Sequence, residues 1–458
     1  MLFHTWSFVL FFAVVYAGHL LLRHTRLGLL WFLAASYVFY GWWNPLYVAL
    51  IGYSTTVDYF SVTRMEKGRR RAFWLVFSLV NNLGILAFFK YGAFVTANVN
   101  ALLAALGSAV HVPAPGLLLP VGISFYTFRS LSYTIDCYRG RIPRETSFIR
   151  YATYVAFFPQ LLAGPIEPAG HLLPQLTREN RITVTDVTDG LSLFVVGLFK
   201  KIALADALRL YVDQVYGAPD QYSGCALALA TFAFAWQIYF DFSGYTDMAR
   251  GIGRLMGFNL MLNFNNPYLA TSLGDFWRRW HISLSSWFKN YVYIPLGGNR
   301  HGALNTYRNM ILTMVISGLW HGAAWTFLIW GALHAFGRVL TRELERTRFY
   351  RERVPRFCKQ AAVFAFVSFA WVFFRAGSLH DAGLIVRRMF TSGLSDPRFP
   401  LLALVMVLSV WVYQYVYESR LQRVLEWAPL RVGLIALMVI CLTMLGGGGG
   451  QPFVYFQF

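Results

Sequence analysis

Apolar runs of about 17 to 25 residues recur along the chain, the length a helix needs to cross a hydrocarbon core of about 30 Å. The first three, 6–22, 27–42 and 45–60, follow one another closely, and only Arg23-His24-Thr25-Arg26 separates the first two. Further crossings are predicted at 73–91, 117–135, 191–204, 226–240, 361–374, 401–417 and 431–445, with 309–325 and 326–340 as a pair of membrane-entering segments. The total is about 11 spans. The run 151–163 is apolar but too short, and it stops at Gly164-Pro165. It reads as a re-entrant or interfacial element, whose broken backbone protein or a water-filled cavity must satisfy. Between 243 and 307 the pattern turns amphipathic and is broken by Asn263-Phe264-Asn265-Asn266-Pro267 and by Pro295-Leu296-Gly297-Gly298. This stretch is expected on the cytoplasmic side, dipping into the bilayer. An outer loop is expected to contain Asp213 to Tyr222. The prediction is an all-α polytopic membrane protein with a central polar tunnel, built as one domain over residues 1–458. No fixed-period repeat is visible, which removes support for a solenoid or an inverted-repeat transporter.

Composition agrees: 57% of the 458 residues are hydrophobic and 13% charged, against roughly 25% charged in a soluble domain. Lys plus Arg outnumber Asp plus Glu by 40 to 21, a net charge of +19. In a soluble protein that excess would suggest nucleic acid. Here the basic residues cluster in short loops, at 64–71, 139–150 and 342–359, so the positive-inside rule explains them. They describe a cytoplasmic rim facing lipid headgroups, with no nucleic-acid partner, and they place the N-terminus outside. Asn81 and Asn82, near the middle of the 73–91 run, read as helix–helix hydrogen bonds. Cys137, Cys225, Cys358 and Cys441 are scattered, with no CxxC pair and no metal-ligand spacing with histidine. The first run lacks a basic n-region and an A-x-A-like site, so it reads as a retained helix rather than a signal peptide.

Ionisable side chains gather between 241 and 334. Two histidines stand out there, His281 in Trp277-Arg278-Arg279-Trp280-His281 and His321 within the apolar segment that passes through Trp320. An imidazole titrates near neutrality and can take a proton from an alcohol and return it to a leaving group. In a membrane segment such a group is costly and marks function. Forty residues separate the two, about 60 Å along one helix, so Pro295 and Gly297-Gly298 must break the line before they can converge. Arg278 and Arg279 suit phosphate recognition, or face lipid headgroups. Asp275, Asp241 or Asp247 can pair with them as structural carboxylates. His334 lies about 20 Å beyond His321 on an unbroken helix, and a structural role is expected for it. No Walker loop, dinucleotide GxGxxG, HExxH helix or GxSxG elbow is present.

The wording WRRWHISLSSWFKNYVYIPLGGNR followed by GLWHGAAWTFLIWG resembles the membrane-bound O-acyltransferases, in the bacterial branch that includes alginate O-acetyltransferases. FPQLLAGPIEP at 158–168, KKIALAD at 200–206, DFSGYTDMARGIGRLMGF at 241–258 and FVYFQF at 453–458 look like further signatures of that branch. The resemblance implies that His321 is the catalytic base, with His281 a second functional histidine that orients substrate or shares the proton relay. It also implies acetyl-coenzyme A as donor, no permanently bound cofactor, and a polysaccharide acceptor reached directly or through a periplasmic SGNH-type relay protein. Arg278, Arg279, Trp277, Asp275 and Trp320 are then the candidate substrate-binding residues. The location implied is the bacterial inner membrane. A D-alanyl transferase for teichoic acid and a permease that makes no bonds are the alternatives.

Overall fold

The computed structural model describes residues 1–68, 70–116, 119–177, 181–393, 395 and 397–445. Among these every regular element is a helix, so the all-α membrane fold is as expected. The FVYFQF motif, the glycines at 446–450, Arg69 and the first two residues of the 117–135 run lie outside the described residues. Among the described residues three helices are long and apolar enough to cross a membrane, Arg71–Ala105, Gly224–Leu255 and Arg356–Arg375, and four shorter ones are similarly apolar. The chain forms two compact units. One is Met1–Gly190 with Ala249–Met261; the other is Leu191–Met248 with the chain from Leu262 onward.

In the first unit, α1 (Trp6–Leu22), α2 (Leu27–Gly41), α3 (Pro45–Lys67), α4 (Arg71–Ala105) and α5 (Ile123–Tyr138) follow in order. Pro45 starts α3, where a missing N–H costs nothing, and the Asn44 side chain accepts the Leu46 N–H at 3.0 Å. α4 runs on past the expected end at 91, because the lone Gly92 in an alanine-rich stretch without proline does not stop a helix. Where α3, α4 and α5 meet, the buried Asp58 accepts hydrogen bonds from Ser78 Oγ at 2.6 Å and Asn82 Nδ2 at 2.7 Å. Tyr53 donates to Asn81 at 2.9 Å. Both asparagines therefore serve as helix–helix contacts. The 151–163 stretch is too short to cross, as expected, and it also breaks inside: α6 (Phe148–Ala156) and the single turn α7 (Phe158–Leu161) meet at Phe157, with every residue from Tyr151 to Ala163 buried.

α8 (Ala169–Thr177) follows, and its His171 Nδ1 lies 2.6 Å from Oε2 of the buried Glu167. The hydrogen bond to Glu167 raises the imidazole above its ordinary range, against the opposing effect of burial. A histidine raised in the folded state stabilises below its unfolded value of about 6.5, and that contribution is lost as pH climbs through the folded value. Thermal midpoints in detergent should therefore decline as pH rises from about 6.5, and His171→Ala should flatten that decline. An identical pH profile in the variant would discount the pair.

α9 (Val184–Phe199) carries the chain from the first unit into the second at Leu191; a π-helical turn over Lys200–Ala205, α10 (Asp206–Gly217) and α11 (Gly224–Leu255) follow, the last turns of α11 from Ala249 belonging again to the first unit. Two expectations change here. Residues 206–217 are helical, so the loop predicted over 213–222 shrinks to a 3-10 turn at Pro219–Gln221. The polar stretch from Ser243 does not begin as a separate broken segment; its first thirteen residues continue α11 to Leu255. Lysines from the π turn stabilise that continuation. Lys201 Nζ lies 2.7 Å from Asp241 and 2.9 Å from Asp206, and Lys200 Nζ lies 2.7 Å from Asp247. Asp241 and Asp247 thus pair with these lysines and not with the arginines at 278 and 279. Gly197 and Gly244 allow α9 and α11 to touch, since a Cβ on Gly197 would meet the Gly244 carbonyl at 2.5 Å.

The remainder comprises α12 (Leu273–Arg279), α13 (Ile282–Phe288), a second π turn at Lys289–Tyr293, α14 (Gly302–His321), α15 (Trp325–Arg346), α16 (Arg348–Glu352), α17 (Arg356–Arg375), α18 (Leu379–Thr391), α19 (Leu401–Tyr417), α20 (Gln422–Leu425) and α21 (Ala428–Leu445). The break in the 309–340 block falls at Gly322–Ala324, so His321 is the last residue of α14 rather than an interior one. α14 and α15 cross with backbones in contact. A Cβ on Gly318 would stand 2.3 Å from the Phe327 carbonyl oxygen, and one on Gly331 would stand 2.5 Å from that of Met314. Small residues at such crossings allow close van der Waals packing in a membrane.

Candidate functional site

His321 ends α14 with a ring that is 3% exposed. It is enclosed by Trp320 at 4.9 Å, Trp330 at 5.0 Å and Phe374 at 5.4 Å between ring centroids. Trp320 also contacts His281, at 6.2 Å. The two histidines therefore share one indole, and tertiary folding brings them together as their separation in sequence requires. The break at Gly322–Ala324 also lets His334 approach, 4.7 Å from Trp330 and 5.1 Å from Trp277. It is fully buried among aromatic rings.

His281 sits in the turn between α12 and α13 with φ 42°, in the left-handed region that L-residues enter at a cost of roughly 1–2 kcal/mol. The segment from Asn263 holds that turn. The Asn263 carbonyl accepts the Ile282 N–H at 2.9 Å and Asn265 N–H donates to the Arg279 carbonyl at 2.9 Å. Asn263 Oδ1 accepts from Ser283 N–H at 3.2 Å and Ser283 Oγ at 2.9 Å, and lies 3.2 Å from His281 Nδ1. The buried ring also packs on Phe242 at 4.6 Å and Phe264 at 6.3 Å.

Beside these residues lies a cavity of ≈ 480 Å³ whose wall carries three cations, Arg278, Lys289 and Arg338, and no carboxylate among the described lining residues. Trp277, Thr313 and Ser317 also line it. Asn309, Thr313, Ser317 and His321 recur every four residues on α14 and are all buried, so they form one polar column on one face of the helix. The cavity wall reaches that column at Ser317, one turn short of His321, and the His321 ring is not on the cavity surface.

The adjacent arginines are used differently. Arg279 is held by Asp275 at 3.2 Å and by Glu418, which also takes Arg356 at 3.2 Å. Arg278 keeps a longer 3.4 Å contact with Asp275, is 73% exposed and lines the cavity. Asp275 itself accepts the Thr271 N–H at 3.3 Å while its own N–H donates to Ser272 Oγ at 3.2 Å, so Ser272 caps α12 and the Asp275 carboxylate ties the residue before the cap to the helix. Among the expected substrate-binding residues the cavity therefore takes Arg278 and Trp277, Trp320 lies between the histidines, and Asp275 and Arg279 hold the framework. Sequence reasoning missed Lys289, Arg338, Asn263 and the column above His321. Arg338, alone in an apolar run, and the four-residue spacing before His321 were signals for two of these.

The family model of the membrane-bound O-acyltransferases matches residues 140–380. The chain is 41% identical to a probable alginate O-acetylase, AlgI, of Pseudomonas aeruginosa, covering 86% of this chain and 75% of that protein. It is 36% identical to a peptidoglycan O-acetyltransferase of Helicobacter pylori over 85% of this chain and 80% of that protein. A teichoic acid D-alanyltransferase of Bacillus subtilis is 27% identical over 49% of this chain and 59% of its own length.

Proposed function

Because this chain belongs to the membrane-bound O-acyltransferase family, we propose that it moves acetyl groups from cytoplasmic acetyl-coenzyme A across the bacterial inner membrane for O-acetylation of an extracytoplasmic polysaccharide. It is a membrane O-acyltransferase by family and by the O-acetylases it resembles over most of its length. The supporting observation for the donor is the cavity with Arg278, Lys289 and Arg338 on its wall and the α14 column beneath it. Phosphate and pyrophosphate groups match guanidinium and ammonium donors, so the nucleotide end of the donor binds at the cations. Its thioester arm follows Thr313 and Ser317 towards His321.

His321 takes the proton of an acceptor hydroxyl as the hydroxyl oxygen attacks the thioester carbonyl. The C–S bond breaks, and the proton passes to the departing sulfur, which leaves as the free thiol of coenzyme A. The acceptor is an alginate-like polymer, cellulose or peptidoglycan, reached directly or through a periplasmic relay protein, and the N-terminus faces the periplasm. The expected tunnel is not continuous in this structure: the cavity stops at Ser317, so the wall between Ser317 and the His321 ring has to open for the acetyl group to reach the imidazole.

Purified protein incubated with radiolabelled acetyl-coenzyme A and candidate acceptors should move label to polymer or to a partner. Labelled donor crossing a vesicle membrane intact would favour the permease. Preference for a D-alanyl carrier in competition with acetyl-coenzyme A would favour the teichoic acid reading. Arg338→Met and Lys289→Met should each raise the KM for acetyl-coenzyme A about tenfold, the loss of one charge-assisted hydrogen bond, with kcat nearly unchanged. Arg279→Met should instead lower the thermal midpoint and leave that KM alone. Equal donor KM in all three variants would remove the cavity from the donor path.

A further inference from the structure

We propose that Asn263 is a positioning residue for acyl transfer, holding His281 in one orientation and in the tautomer whose basic nitrogen is Nε2, on the side of the ring away from the amide. The inference rests on the proposed acyl transfer at His321 and adds to it a role for His281, which shares Trp320 with that residue.

The tautomer follows from donors, acceptors and distances: Ser283 Oγ also lies 3.4 Å from His281 Nδ1, but its one hydrogen goes to Asn263 Oδ1 at the shorter 2.9 Å and does not make Nδ1 an acceptor. A backbone N–H can only donate, and Ser283 N–H meets the same Asn263 atom, at 3.2 Å, as His281 Nδ1 does. That atom must be the amide oxygen, which only accepts. His281 Nδ1 therefore carries a hydrogen and directs it at Asn263 Oδ1. In the neutral ring the lone pair then lies on Nε2. The same oxygen takes the Ser283 hydroxyl at 2.9 Å, and the Asn263 backbone carbonyl takes the Ile282 N–H at 2.9 Å. One residue thus supplies acceptors to 281, 282 and 283 together, across a turn whose central residue has φ 42°.

This is more than a helix cap. α13 starts without any capping bond from the side chain at its own N-cap, His281, and Asn263 supplies the missing acceptors from eighteen residues away. A cap needs only the two N–H contacts. The third contact gives a buried ring N–H its acceptor and, in doing so, fixes the orientation of the imidazole. Asn263 is 1% and His281 0% exposed, so water does not substitute for the amide.

The test uses full-length protein in proteoliposomes with acetyl-coenzyme A and the acceptor polymer that takes label in the assay above, turnover being read as released thiol. Asn263→Leu keeps the volume and removes the acceptor. It should lower kcat about a hundredfold, the cost of misplacing a reacting group by about 1 Å, and leave the donor KM within about twofold. Asn263→Asp keeps an acceptor at the same place and should return kcat to within about tenfold of the parent. In the double variant with His281→Gln, loss of Asn263 should add nothing to the effect of losing the histidine. Parental turnover in Asn263→Leu, or additive losses in the double variant, would overturn the proposal. If Asn263→Leu does not fold, Asn263→Asp decides, because a folded but inactive aspartate variant contradicts it. Parental turnover in His281→Gln would instead remove His281 from the site, and Asn263 with it.

Discussion

His321→Gln should lose acetyl transfer by a factor of about 10²–10⁴, the range a positioned general base supplies, while inserting and folding as the parent does. Glutamine fills nearly the same volume between Trp320, Trp330 and Phe374, so the aromatic enclosure stays filled and the change removes basicity rather than packing. His321→Ala should be equally inactive and also less stable, because it opens a void among those rings. The readout is polymer-bound acetyl in cells and thiol release by purified protein. Unchanged transfer in the glutamine variant would leave the family's WHG histidine without a chemical role in this chain, and His281 would become the first candidate.

The largest effect on stability is expected at Lys201. Its ammonium and the Asp241 carboxylate are each 1% exposed and 2.7 Å apart, with Asp206 at 2.9 Å on the other side. Lys201→Met leaves two carboxylates without their shared cation, one of them fully enclosed. Removing one partner of a buried pair costs about 3–5 kcal/mol, far more than a surface pair. Thermal unfolding in detergent should shift sharply downward, or the variant should fail to accumulate in the membrane. Lys201→Met combined with Asp241→Asn should recover part of the loss, because the stranded charge is what costs. A double variant as unstable as the single one would assign the loss to packing of the lysine stem instead.

That pair also shows where the sequence stopped being legible. The run 401–417 became a helix with the same ends, since unbroken apolar residues at membrane length admit one reading. That the 151–163 run is too short to cross and stops at Gly164-Pro165 was legible; that it also breaks inside, at Phe157, was not. The far end of α11 was not, because Asp241, Ser243, Thr246 and Asp247 look like solvated residues until Lys200 and Lys201 are brought to them from forty residues upstream. Likewise His281 and His321 could be singled out as chemistry. Nothing in the spacing of Asn263 from His281 revealed that one amide holds the imidazole and the following helix together. Asp275 and Arg279 beside Arg278 read as one cluster, yet Glu418, far along the chain, ties Arg279 into the framework and leaves Arg278 to the cavity.

The meeting of Gly318 with α15 and of Gly331 with α14 joins two main chains with no side chain between them. A seam of that kind has no rotamer to swing aside, so the pair behaves as a stiff plank and carries His321 at a fixed height. Of the three rings around that imidazole only Phe374 comes from outside the seam, on α17, and it can turn about its own torsions without moving either seam helix. Acceptor range should accordingly be easier to re-tune by changing Phe374 than by any substitution along the glycine seam.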